Sequence, residues 1–199
     1  MITNGHPKIG RVLIGHGAGA PMDSDFMVEL AERFAAVGFE AVRYEFPYMQ
    51  KRRLDGKKRP PDRLPTLIDF LTELINSQKD EVPLFLAGKS MGGRVSTMCA
   101  DHARVSGCFV FGYPFHPIGK PDRLRIDHLQ SLKNKVDIFQ GTRDPMGTFP
   151  EVGTYNLPQN IQCHWLEDGN HDLKPRKASG FTQSDHLDSA FLHIQRLFT

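Results

Sequence analysis

The sequence predicts a three-layer α/β/α sandwich built on a mostly parallel sheet of about six strands. Three observations carry this. Short apolar runs alternate with helix-period segments from one end of the chain to the other, and strand–helix–strand units of that kind call for a parallel sheet covered on both faces. The 199 residues fit one domain, read as 1–199, that can bury a core without disulfide or metal staples. The composition, 39% hydrophobic and 24% charged, is that of a folded chain.

The elements follow in order. Arg11 to Gly15 is a β-branched run ending in a Gly-rich turn, hence a strand. Asp23 and Ser24 offer caps to a helix through Val37, with Phe26, Leu30, Phe34 and Val37 at helical spacing and Gly38 as its stop. Phe39 to Phe46 reads as the second strand. Pro47 to Pro61 is polar, basic and without period, and reads as a loop. Leu64, Leu67, Ile68, Leu71, Leu74 and Ile75 then mark a helix from about Asp62 to Asn76, in which Pro65 is tolerable only in the first turn. Leu84 to Ala87 is a buried-type strand, followed by a helix from Met91 to about Ala103. Strands at Cys108 to Phe111, Val136 to Phe139 and Ile161 to Leu166, a short helix at Asp127 to Leu132, and a last helix from Asp185 to Phe198 complete the pattern.

Several function classes are excluded at this level. No apolar run approaches the ~20 residues that cross a bilayer, so no membrane partner is expected. The first seven residues lack a basic and apolar leader pattern. Cys99, Cys108 and Cys163 are odd in number and widely spaced, which argues against a disulfide framework or a CxxC metal site and fits reduced thiols in a cytoplasmic protein. No metal and no cofactor are expected. The formal net charge of +2 gives no general pull toward polyanions. Lys51 to Arg59 holds six bases and one acid, but no aromatic residue interleaves them; nucleic acid is therefore an unlikely partner and a solvated loop the expectation.

The turns after the strands carry the chemistry. Leu84 to Val95 matches G-x-S-x-G in the context of strand, sharp turn and helix. Such a turn lifts the Ser90 hydroxyl above the sheet at a helix N-terminus, and Gly88 and Gly92 keep side chains out of its way. A phosphate-binding loop would need a glycine where Pro83 stands, and a dinucleotide fingerprint one where Ala20 stands. A serine hydroxyl needs a base, and the base an orienting acid, in the chain order Ser, Asp, His. Asp144 lies just past the strand that starts at Val136. His171 follows the last strand in a Gly-Asn turn. His186 is the reserve base, while His164 and His193 lie away from strand ends. Asp168 and Asp172 are reserve acids, and Asp137 lies inside its strand. The backbone N–H of Met91 and that of Gly17 or Ala18, in the turn Gly15 to Ala20, would form an oxyanion hole. His16 and Lys89 are possible substrate contacts. Arg94 is expected to pair with an acid.

Gly15-His16-Gly17, Gly88-Lys89-Ser90-Met91-Gly92-Gly93-Arg94, Gly141-Thr142-Arg143-Asp144 and Gly169-Asn170-His171 together resemble the α/β-hydrolase superfamily, in its small capless branch near the dienelactone hydrolases. Phe46-Pro47-Tyr48-Met49 and Tyr113-Pro114-Phe115-His116-Pro117 resemble a sub-branch that includes a testis-expressed protein and a chromatin-complex subunit. The chain differs from dienelactone hydrolases in carrying Ser90 where they carry cysteine. The resemblance implies a minimal α/β-hydrolase fold, a Ser90–Asp144–His171 triad and backbone oxyanion donors. Acyl transfer from a small soluble ester or thioester is then the expected activity, with a binding or scaffold module as the alternative. The 24 residues from 112 to 135, where larger hydrolases often insert a lid, leave no room for a cap domain.

Overall fold

The computed structural model describes residues 1–199. One seven-stranded sheet organises the chain: β1 (Ile2–Asn4), β2 (Gly10–Gly15), β3 (Phe39–Tyr44), β4 (Leu84–Lys89), β5 (Val105–Phe111), β6 (Val136–Gly141) and β7 (Ile161–Leu166). Their spatial order is β1-β3-β2-β4-β5-β6-β7. All neighbours run parallel except β1, which pairs antiparallel with β3. The seventh strand is β1, absent from the six-strand reading. It has three largely exposed residues, too few to show a period of two.

The helices are α1 (Asp25–Ala36), α2 (Pro47–Asp55), α3 (Leu64–Asn76), α4 (Met91–Met98), α5 (Phe149–Val152) and α6 (Gln183–Arg196). Two apolar clusters fill the two faces of the sheet. On one face α1 and α6 bury Leu30, Phe34, Phe191 and Ile194 against Phe109, Phe111 and Phe139. On the other α3 and α4 bury Leu67, Leu71 and Val95 against Leu13, Leu86 and Val110. Strand β4 is buried at every position, as a central parallel strand covered by helices must be.

Residues 47–61 depart from the loop expectation, because α2 occupies most of them. Pro47 starts the helix where its missing N–H costs nothing, and Gly56 ends it in the left-handed region at φ 70°. The helix hides from a periodicity search because its only buried residues, Tyr48 and Met49, are adjacent. Its basic residues are partly spoken for. Arg53 bridges Asp23 at 2.9 Å and Glu45 at 2.5 Å, and Arg59 pairs with Asp55. Burial alone would raise the Glu45 carboxyl, but Arg53 outweighs it and holds the group below its ordinary value. Helix α4 ends five residues earlier than expected, at Met98. Between β5 and β6, residues 112–135 hold one 3-10 turn, Asp127–Ser131, and no inserted domain. No helix is long and apolar enough to cross a membrane.

Candidate active site

The strand order changes direction between β2 and β4: β3 lies to one side and β5, β6 and β7 to the other. Crevices in parallel sheets form beyond the carboxyl ends of strands at such a point. Ser90 stands there, at the tip of β4 and the start of α4, with φ 52° and ψ −113°. A non-glycine residue at positive φ is strained, and the packing around this turn explains how it is held. A Cβ on Gly92 would fall 2.3 Å from the carbonyl oxygen of Gly15, and one on Gly88 would fall 2.4 Å from the backbone of Gly92 and Gly93. Only bare backbone lets β2, β4 and α4 approach this closely.

The sequence-selected serine, histidine and aspartate converge. His171 Nε2 lies 2.8 Å from Ser90 Oγ, and His171 Nδ1 lies 2.7 Å from Asp144 Oδ2. Asp144 is fully buried and the His171 side chain is 22% exposed, so the pair reaches from the interior to the surface. Neither Asp168 nor Asp172 takes the acid's place. Asp168 is held by Arg143 at 2.7 Å and by Arg176 Nε at 2.9 Å, and the Arg176 contact pulls its carboxyl down to about 2. Asp172 lies 3.3 Å from Lys89. The reserve base His186 is buried, with Nδ1 2.7 Å from the Leu173 carbonyl oxygen, and has no access to the serine. His164 and His193 meet Asp137 instead.

Gln140 was not anticipated, yet it fixes the acid. Its Nε2 donates to Asp144 Oδ2 at 2.9 Å, and its Oε1 accepts from the Tyr113 N–H at 2.7 Å. The Met146 N–H donates to Asp144 Oδ1 at 2.8 Å, so both carboxylate oxygens are occupied. The available signal was an amide following the apolar pair Ile138-Phe139 at the end of β6.

His16 corrects an expectation. Its ring is buried and points away from the crevice. Nδ1 lies 2.7 Å from the Gly17 carbonyl oxygen, and Nε2 accepts from the Phe46 N–H at 3.2 Å. Burial lowers its pKa, which suits a neutral ring serving as donor on one side and acceptor on the other. His16 therefore shapes the turn from behind and is not a substrate contact. The neighbouring Gly17 and Ala18 donate their N–H groups to no protein acceptor, and a Cβ on Gly17 would lie 4.0 Å from Ser90 Cβ. Met91 sits at the first position of α4, where a backbone donor has no partner within the helix.

Lys89 does line the crevice. Its Nζ donates to the His171 carbonyl oxygen at 2.6 Å, and burial lowers its pKa. Arg94 does not find the acid expected for it: its Nε is buried without a hydrogen bond. The crevice encloses about 720 Å³ and is walled by Ala18, Phe26, Lys89, Met146 and His171 around Ser90. Its chemistry is that of a polarised hydroxyl facing unengaged backbone donors.

The family model of the alpha/beta hydrolase domain matches residues 8–199, and the chain belongs to that family. Solved structures share the fold. An alpha-beta serine hydrolase homologue from Coxiella burnetii superimposes with a TM-score of 0.70 at 17% identity, over 98% of this chain and 88% of that one. Est1E from Butyrivibrio proteoclasticus with ferulic acid bound gives 0.70 at 14% identity, over 98% and 92%. A monoacylglycerol lipase from Paleococcus ferrophilus gives 0.69 at 13% identity, over 98% and 97%.

Proposed function

We propose that this alpha/beta hydrolase is a serine hydrolase that cleaves carboxylic ester or thioester bonds of small soluble substrates. The observation that carries the reading is the continuous relay from Ser90 Oγ through His171 to buried Asp144, with links of 2.8 and 2.7 Å. Ser90 Oγ attacks the carbonyl carbon while His171 Nε2 takes the hydroxyl proton. Asp144 accepts from Nδ1–H and stabilises the imidazolium. The N–H groups of Met91 and of Gly17 or Ala18 hold the oxyanion. His171 then returns the proton to the departing alcohol or thiol, leaving an acyl-serine. Water, deprotonated by the same histidine, releases the acid and restores Ser90.

Lys89 would steady this relay through the His171 carbonyl, and its position in the crevice wall suits a polar or anionic substrate group. The branch near the dienelactone hydrolases remains our placement, on the motifs around Ser90. The uninterrupted segment 112–135 favours small or flexible substrates over an interfacial, lid-gated reaction. Three unpaired thiols fit a reducing compartment such as the cytoplasm.

A fluorophosphonate probe tests the assignment. Wild type is expected to label and to turn over short p-nitrophenyl esters, and Ser90→Ala to do neither. Equal labelling of both proteins would refute the nucleophile. A wild type that neither labels nor turns over any ester or thioester would leave the scaffold reading standing.

A further inference from the structure

Away from Ser90, β6, β7 and α6 bring a second carboxylate together with two imidazoles. Asp137 is the second residue of β6 and is 2% exposed. Its Oδ1 lies 2.7 Å from His164 Nε2 and 3.1 Å from His193 Nε2. The two rings are tilted together with centroids 3.8 Å apart, and all three ligand atoms lie within 4.8 Å of one another. Neither Nδ1 atom bonds to the protein. Without an ion each Nε2–H donates to the carboxylate, and on binding each ring can shift that proton to its unengaged Nδ1 and offer the Nε2 lone pair.

Bonds of about 2.0–2.2 Å to a tetrahedral ion place neighbouring ligand atoms a little over 3 Å apart. Two of the three separations here are already close to that, so small ring movements suffice. The donors come from two strands and a packed helix, and no loop has to order around an ion. Two cations face the site: Arg196, exposed on the wall of the adjoining cavity, and Lys135, whose Nζ lies 3.6 Å from Asp137 Oδ2. Lys135 touches the other carboxylate oxygen, and its side chain is 41% exposed and can turn to solvent. The rings border a cavity of about 440 Å³ walled by Trp165, Ser189 and Arg196, with room for an ion's remaining water.

We propose that Asp137, His164 and His193 form a binding site for one divalent transition-metal ion of the Zn²⁺ class. Two imidazoles and a carboxylate suit that class, whereas Mg²⁺ and Ca²⁺ prefer all-oxygen cages. On binding, the ion takes the position between the rings and Oδ1. Each imidazole proton resides on Nδ1, and the ion sheds waters to solvent, so no net proton release is required. The site acts as a clip fastening the C-terminal helix to the sheet. It is independent of the Ser90 chemistry.

The test uses the full chain after chelator treatment, titrated calorimetrically with Zn²⁺. Wild type is expected to bind one Zn²⁺ per chain, with a rise in Tm and no displacement by millimolar Mg²⁺. His193→Gln and His164→Gln are each expected to weaken binding at least about tenfold. His193 is 30% exposed on α6, which makes His193→Gln the milder change to the fold. Co²⁺ should give visible ligand-field bands without the sulfur charge-transfer band that coordination by nearby Cys163 would add. Probe labelling of Ser90 should be unchanged in His193→Gln. The proposal is overturned if wild type shows no saturable one-to-one binding, if Mg²⁺ competes, or if folded His193→Gln binds Zn²⁺ as tightly as wild type. None of these results bears on whether Ser90 labels, so the two proposals fail separately.

Discussion

Strands β6 and β7 support two Asp–His pairs, Asp144–His171 and Asp137–His164, and in each the partners are 27 residues apart. For Asp137–His164 the spacing has a physical origin. The strands run parallel with Val136 opposite Ile161, so Asp137 lies opposite Gln162, and His164, two residues on, shares that face. Beyond the strand ends the irregular turns after β6 and β7 bring His171 to Asp144. The chemistry of the two pairs is similar, but the surroundings differ. One pair ends on a serine hydroxyl at a crevice. The other joins the sheet to a helix, away from any nucleophile, and shares its carboxylate with a second ring. Position relative to the strand ends, more than the residues themselves, decides which pair can pass a proton to a substrate.

Making the same substitution at both places is the strongest way to break that comparison. Asp144→Asn is expected to lower ester turnover by about 10³- to 10⁴-fold, because the amide no longer stabilises the imidazolium or fixes its tautomer. Asp137→Asn should leave turnover within about twofold and instead cost about 1–3 kcal/mol of stability in a denaturant titration, through imperfectly satisfied buried partners. Equal catalytic losses would show that the two pairs are coupled. A smaller effect is expected from Gln140→Leu, which removes the amide donor to Asp144 and leaves the triad itself intact. kcat should fall about 10- to 100-fold with little change in KM. A KM effect alone would mean that Gln140 shapes the crevice and does not orient the acid.

The smallest effect concerns pH. Asp168 begins the turn that carries His171, and its ion pair with Arg176 holds its carboxyl near 2, below the ordinary 3.8. A depressed carboxyl contributes stability that is complete above pH 3.8 and is lost as pH falls toward 2. Arg176→Gln should therefore raise the pH of acid unfolding slightly, or the pH at which amides 168–173 lose exchange protection. The Asp137 region should show no such change.

Most of the fold could be read from the sequence because parallel strands covered on both sides announce themselves as short apolar runs. β2 and β4 emerge within one or two residues of their observed limits for that reason. The misses share one property: none leaves a local hydrophobic period. β1 exists through pairing with β3. α2 is organised by Pro47, by Gly56 and by Arg53 reaching two acids. α5, four residues long, rests on a capping box between Thr148 and Glu151. At the candidate site, Ser90, Asp144 and His171 were legible because turn glycines and strand ends mark them. His16 was misassigned because a histidine in a Gly-rich turn gives no sign of the direction of its ring. Gln140 and the Asp137–His164–His193 cluster were missed because their partners are remote in sequence, and only the β6–β7 register and the seat of α6 unite them.

The backbone of Ser90 has one more consequence. At φ 52° it occupies a conformation that glycine would adopt without strain, at a cost to serine of about 1–3 kcal/mol. Ser90→Gly should therefore melt at a higher temperature than the parent protein while losing its nucleophile. Under laboratory evolution for heat tolerance alone, position 90 would be among the first to drift. Retention of serine there through such a screen would signal that turnover is also under selection.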